Sequence, residues 1–340
     1  MIFMFVFVAC VFAFASTASA DKLPALLIVD TDLRGDCDDA GALAVAHYLA
    51  NTGEAELIGV ITSTTGDHVV AAAAAINHYY GRPDIPVGLS VYERLGGTDD
   101  FAPTLADTDQ FPSDKTNATA PNSTALYREL LHNAPRKVTI AVIGNMGPIS
   151  EFLNSPADYN GDGIPKTGME LAKEKAGSLV IMAGHFTNPG HDEANVAAHR
   201  DAAQNIADNW PGKIVYSGWE IGNPIMTGSA LSDPEVNPVA MAYKLYRWTT
   251  GGSGTIGDRH SWDQTAVLYA VRGLHSDGEQ FWSISPYGKT TFNNSDPYTE
   301  FTIDSEGLHR YLIEHMDTDD VEDIIEAMMT APPKSDGDAH

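Results

Sequence analysis

Ala25-Leu-Leu-Ile-Val29-Asp30-Thr-Asp32-Leu-Arg-Gly-Asp36-Cys-Asp38-Asp39-Ala-Gly-Ala-Leu43 is the stretch on which the reading of the chain turns. Ala25 to Val29 is an apolar run of strand length with no polar residue to show to solvent, the pattern of a strand covered on both faces. Five carboxylates follow within ten residues, and apolar residues at helical spacing begin at Ala40. The alternation then repeats. Strand-length runs lie at 57–62, 85–89, 138–143, 179–183 and 214–216, and helical spacing covers 40–49, 69–80, 125–131, 149–153 and 196–207. Doubly buried strands separated by helices predict an α/β fold, a doubly wound, mainly parallel open sheet of Rossmann-like type. The stretch 96–124, rich in Asp, Thr, Pro and Asn, reads as a long surface loop or lid. Beyond Tyr216 the pattern predicts helices over 238–248 and 265–271, a short β segment at 281–292, and terminal helices near 308–315 and 321–329. This is an appendage on one domain spanning 21–340.

In such sheets the ligand crevice lies off the carboxyl ends of the strands. The residues after the first run are therefore candidates for chemistry. Five aspartates packed together repel each other unless a cation joins them. A hard divalent ion bound by oxygen resolves this, and Ca²⁺ accepts the flexible coordination that a loop supplies. The plainer alternative is an acidic turn with Asp39 capping the next helix, but a cap needs one Asp and not five.

The chain has 340 residues, 43% of them hydrophobic, and carries 46 acidic against 20 basic side chains, a formal −26. It is long enough for a large core, and its field repels polyanions. Nucleic-acid polymers and acidic membrane surfaces are thereby excluded as main partners, whereas a small neutral ligand or a bound cation suits the balance. Residues 1–15, MIFMFVFVACVFAFA, are too short to span a bilayer. Small residues at Ala18 and Ala20 follow, so residues 1–20 read as a secretory signal peptide, and the mature protein is expected to be secreted. Cys10 leaves with that leader and Cys37 remains alone, so no internal disulfide is expected. Asn117, Asn122 and Asn293 open glycosylation sequons that matter only in a eukaryotic host.

Asp30-Thr-Asp32 followed by Asp38-Asp39-Ala resembles the signature of the calcium-dependent nucleoside hydrolases, the inosine–uridine preferring superfamily. Later segments match in order: Gly66-Asp67, Ile143-Gly144, Met182-Ala-Gly184, Glu193-Ala-Asn195 and Ser261-Trp262-Asp263. The resemblance implies Ca²⁺ held by Asp32, Asp39, Asp263 and the carbonyl oxygen of Ile143, with Asp32 as the base that activates water. It implies sugar contacts from Asp38, Asp67, Asn188, Glu193 and Asn195. Rejection of 2′-deoxy analogues would follow, because they leave such contacts unpaired. The anomeric carbon would be attacked through an oxocarbenium-like transition state.

Three positions depart from the family pattern. The Asp32–Asp38 spacing is two residues longer than in the best-known members, which makes Asp36 an extra carboxylate. Asp67 stands where the family has an amide. Trp262 stands where many members have His, and the purine-preferring branch, which stacks the base on aromatic rings, also has Trp there. The alternative for Trp262 is plain packing, and for His185, His191 and His260 a surface or hydrogen-bonded role rather than proton donation. Asp158-Tyr-Asn160-Gly-Asp162-Gly163 imitates an EF-hand start but has Met169 at its twelfth position, so it reads as a turn or a weak structural site. The Asp-x-Asp of aspartyl-phosphate phosphatases is echoed without that class's later motifs.

The function expected is a secreted Ca²⁺-dependent N-ribohydrolase of ribonucleosides, with purine preference, serving scavenging. Two alternatives stand beside it: a nucleoside- or sugar-binding protein that has lost turnover, and a hydrolase of another ribosyl or glycosyl bond. The oligomeric state, homo-oligomers included, is left open by the sequence.

Overall fold

The computed structural model describes residues 23–33, 35–92, 100–188, 190–276, 278–292 and 298–334. The leader expected at 1–20 and the sequon at Asn293 lie outside the described residues. Six parallel strands, β1 Ala25–Thr31, β2 Ala55–Thr62, β3 Val87–Gly88, β4 Val138–Val142, β5 Ala176–Met182 and β6 Ile214–Ser217, lie in the spatial order 3-2-1-4-5-6. This is the doubly wound sheet expected.

Along β1, Leu27 and Val29 join the core on one side, while Leu26 and Ile28 join the core on the other. Alternate side chains point to opposite faces, so a strand covered by helices on both sides has no solvent face and stays apolar throughout. The helix α1, Asp38–Asn51, is buried from Asp38 through His47. It lies in the same core as the helices Trp262–Arg272 and Thr318–Thr330. The second face is covered by the helices Ser123–Asn133, Gly147–Asn154, Gly168–Lys175 and Arg200–Asn209.

Three expectations are corrected. The helix expected over 196–207 is broken at His199 (φ −148°, ψ 73°) into Ala194–Ala198 and Arg200–Asn209. The segment at 308–315 is a strand, His309–Glu314, parallel to β6 with His309 opposite Ile214. Its apolar residues at helical spacing are few enough to fit either period, and the open edge of β6, whose backbone groups need partners, decides the outcome. Gly288–Phe292 and Thr299–Ile303 continue the sheet antiparallel beyond that strand, so the β segment completes the sheet and is no appendage. Within the stretch 100–122, Phe101, Leu105 and Phe111 are buried, so this part is anchored to the core. The EF-hand imitation is a turn in which Asp158 and Asn160 take left-handed backbone angles and Asp162 pairs with the buried Arg128. Among the described residues no helix is long and apolar enough to cross a membrane.

Candidate active site

β1 has β2 on one side and β4 on the other, so successive connections leave it in opposite directions and open a crevice at its carboxyl end. A cleft of about 260 Å³ lies there, close to the roughly 300 Å³ at which small-molecule sites begin. Its floor is acidic. Asp38 and Asp39 occupy the first turn of α1, and Asp263 the first turn of Trp262–Arg272, so two helix amino termini, which favour negative charge, converge on it. Gly41 permits the approach of these helices: a Cβ there would stand 2.5 Å from Gln264 Nε2 and 2.7 Å from Tyr243 Oη.

Asp38, Asp39 and Asp263 are buried, with one carboxylate oxygen of each within 4.8 Å of the others. Asp39 is not a helix cap. Its Oδ1 accepts the Thr31 hydroxyl and the Asp32 N–H (3.1 Å), which fixes it to the end of β1. Burial, and after it the neighbouring carboxylates, push all three carboxyls well above the usual range. A buried all-oxygen set of like charges fits a hard divalent cation, which removes both the desolvation and the repulsion. Relative to expectation, Asp38 takes the place of Asp32 in the tightest set, because it starts α1 beside Asp39. Asp32, at the end of β1, lines the same cleft.

Asp36, the residue that lengthens the loop, lines the same cleft beside Asp38 but also pairs with a cation. Arg259 Nε donates to it at 2.9 Å and the Tyr246 hydroxyl at 3.1 Å. The Arg259 guanidinium also lies 4.8 Å over the Trp262 ring.

Ile143 lies where β4 ends, its N–H bonded to the Asp30 carbonyl at 2.7 Å. A Cβ at Gly144 would stand 2.8 Å from the Asp32 nitrogen, so only glycine lets these two strand ends meet. The Ile143 carbonyl accepts Asn195 Nδ2 at 2.9 Å, and the same amide group reaches the Met182 carbonyl at 3.1 Å. Both partners are acceptors, so the amide nitrogen must face them, and Oδ1 is left as an acceptor for a ligand hydroxyl. Glu193 caps the short helix Ala194–Ala198. Its oxygens take the N–H groups of Asn195 (2.7 Å), Gly184 (3.1 Å) and Val196 (3.1 Å). Burial still pushes its carboxyl up to about 7, against the pull of those donors.

Part of the lining is aromatic. Trp262 lines the cleft, its indole N–H donating to the Trp219 carbonyl at 2.9 Å. Trp219 lies 6.1 Å from Trp262 and 4.7 Å from His191, ring centre to ring centre. His185 stacks on Trp219 at 5.0 Å and its Nδ1 lies 3.3 Å from Glu220, whose carboxyl burial pushes up to about 7. His260 bonds through Nδ1 to the Asn223 carbonyl.

The structure brings Asp32, Asp38, Asp39, Ile143, Glu193, Asn195, Trp262 and Asp263 together in one cleft. It does not bring Asp67 or Asn188 there. Both are exposed: the turn after β2 is tied to Asn117 through the Gly66 carbonyl, and Asn188 lies in a turn that its carbonyl closes onto the His191 N–H at 3.0 Å. Sequence reasoning missed Trp219 and Arg259. Trp219 follows β6 directly, and the rule that ligands bind at strand carboxyl ends would have found it. Arg259 carries no such signal.

The fold and the site together define a doubly wound α/β protein with a buried carboxylate cluster, at the carboxyl ends of its strands, that could hold a metal. The family described as inosine-uridine preferring nucleoside hydrolase matches residues 27–306, and the chain belongs to it. It is accordingly an N-glycosyl hydrolase of a metal-dependent family that acts on ribonucleosides, and among the described residues Asp38, Asp39 and Asp263 form a buried cluster that could hold a metal. Among curated proteins none matches the chain. Among solved structures it is similar to a plant nucleoside hydrolase, the PpNRh1 enzyme, at 20% identity and a TM-score of 0.64, over 91% of this chain and 100% of that one. It is also similar to a purine-preferring ribonucleoside hydrolase from Gardnerella vaginalis, at 16% identity and 0.65, over 90% and 98%. An inosine-uridine preferring nucleoside hydrolase from Bacillus anthracis follows at 14% and 0.61, over 90% and 99%. At these identities the likeness establishes the fold.

Proposed function

We propose that the protein is a secreted, Ca²⁺-dependent ribohydrolase that prefers purine ribonucleosides and releases free base and ribose. The observation that carries the reading is a buried trio of carboxylates and a pair of tryptophans lining one cleft. The donor set is oxygen alone, which suits Ca²⁺ rather than a softer metal. Flat indole rings suit a purine, since stacking on an aromatic side chain is worth about 1–3 kcal/mol per base. Secretion rests on the leader read in residues 1–20.

A cation at Asp38, Asp39 and Asp263 would neutralise their charge and lower the pKa of a water held beside them. The Asp32 carboxylate, at the same cleft, takes the proton of the attacking water. Asn195 Oδ1 accepts a ribose hydroxyl, and Glu193 has one lone-pair position left for another once its three N–H bonds are counted. Trp219 and Trp262, which line the cleft, would stack the base.

The test is ribose release from a panel of purine and pyrimidine ribonucleosides, with EDTA and then with calcium restored. EDTA-sensitive release recovered by Ca²⁺, fastest on purines, is expected. Release indifferent to EDTA refutes the calcium reading, and no release from folded, calcium-loaded protein refutes the enzymatic one.

A further inference from the structure

We propose that a second cavity beside the cleft is a subsite for a 5′-phosphoryl group, so that the protein cleaves ribonucleoside 5′-phosphates as well as ribonucleosides. The inference rests on the ribohydrolase reading above. This cavity, of about 740 Å³, lies between the helix Gly147–Asn154 and the first turn of the helix Arg200–Asn209. Asn205 Nδ2 donates to Ser150 Oγ at 2.8 Å and ties those two helices together. Ala198 lines both the cavity and the cleft, one turn past Asn195 on the helix Ala194–Ala198, so the two spaces meet at a methyl group.

The chemistry of a ribonucleoside leaves one part free to enter it. C1′ carries the base, which the tryptophans stack. C2′ and C3′ carry hydroxyls, for which the cleft offers carboxylates and Asn195 Oδ1 as acceptors. The substituent on C4′, the C5′ hydroxymethyl group, is the place where the substrate can be extended with the base and both ring hydroxyls still in contact.

The charge changes between the two spaces. Among the described residues the cleft is lined by seven carboxylates and a single guanidinium, whereas the second cavity has one carboxylate, Asp201, beside Arg200 and His199. In a chain of net charge −26 this is a place where an anion meets no excess of negative charge. Arg200 gives Nη2 to Asp192, but its Nη1 is buried with no hydrogen-bond partner. A buried donor left unpaired is costly, and a ligand oxygen would remove that cost. The break at His199 starts a new helix here, and the His199 side chain does not cap it. The positive end of that helix therefore lies at the cavity, together with the guanidinium, and both are groups that bind phosphate.

The reaction balances as it does for the unphosphorylated substrate. Water adds its oxygen to C1′, and the C1′–N bond breaks with its electron pair going to the base nitrogen. The proton that water loses balances the one the base takes up. The phosphate ester stays intact, and the products are free base and ribose 5-phosphate.

The experiment compares inosine with inosine 5′-monophosphate in the wild-type protein and in Arg200→Gln and Arg200→Lys, reading ribose and ribose 5-phosphate separately. The expected result is that the wild type cleaves both. Arg200→Gln should raise KM for the monophosphate by about tenfold or more while kcat/KM for inosine stays within about twofold, and Arg200→Lys, which keeps the charge, should recover most of the loss. The inosine rate in each variant reports that it is folded. A wild type that cleaves inosine and leaves the monophosphate intact overturns the inference and spares the ribohydrolase reading. So do equal losses on both substrates, or a monophosphate KM indifferent to Arg200→Gln. A wild type that cleaves neither overturns that reading, and the inference with it.

Discussion

Replacing Asp263 by Asn separates the electrostatics of the carboxylate trio from its packing, since the amide keeps the shape and removes one charge. The three carboxylate oxygens lie within 4.8 Å of one another. At an effective dielectric near 20, two unit charges at that separation repel by about 3.5 kcal/mol. Burial, and after it the neighbouring carboxylates, push all three carboxyls up, and with that repulsion spread over a screened, partly solvated cleft the relief is on the order of 2 kcal/mol. For a chain of this length that corresponds to a rise in Tm of about 3 °C in EDTA. Calcium at a hundred times its Kd adds about 2.7 kcal/mol to the wild type, about 4 °C, and should add little to the variant. Thermal unfolding of both proteins in EDTA and in Ca²⁺ gives the four midpoints needed. A variant that melts below wild type in EDTA while keeping the full calcium shift would refute the argument, because Asp263 would then be neither a repelling charge nor a ligand.

Trp219→Ala removes one ring of the cleft lining and leaves the backbone carbonyl that holds Trp262; kcat/KM for purine ribosides should fall roughly 5- to 100-fold, from the 1–3 kcal/mol of a base stack, with the calcium shift in Tm unchanged. Gly41→Ala places a methyl against Gln264 and Tyr243, both buried, and should cost about 1–3 kcal/mol in denaturant unfolding; a neutral substitution would show that the two helices can separate freely. His47 is buried against Asn77, and burial, helped by Arg82, lowers its pKa to about 3. The unfolded chain takes up this proton first as pH falls below about 6.5, so stability present above that pH is lost on acidification, by about 2 kcal/mol at pH 5. His47→Gln should flatten that slope in urea titrations at pH 7.5 and 5, and an unchanged slope would place the acid sensitivity elsewhere.

What the sequence determined by itself is what local pattern can carry. Ala25–Val29 is apolar on both sides because both its faces are covered, and that one run identifies the sheet type. The carboxylates that follow, Glu193-Ala-Asn195, and Trp262-Asp263 are short motifs whose residues all line the cleft. What only the tertiary structure decided depends on partners far away in the chain. Asp36 is written like the other aspartates of the cluster, and only the fold shows that Arg259, 223 residues on, pairs with it while Asp38 joins Asp39 and Asp263. Asp67 matches a motif in order yet points to solvent, because the turn carrying it is held by Asn117. The segment His309–Glu314 has a spacing that either period accommodates, and it becomes a strand because β6 offers an unpaired edge. Periodicity and spacing report on a residue's immediate neighbours. Charge pairing, edge pairing and the approach of two helices at Gly41 are interactions between distant segments, and they exist only once the chain has closed on itself.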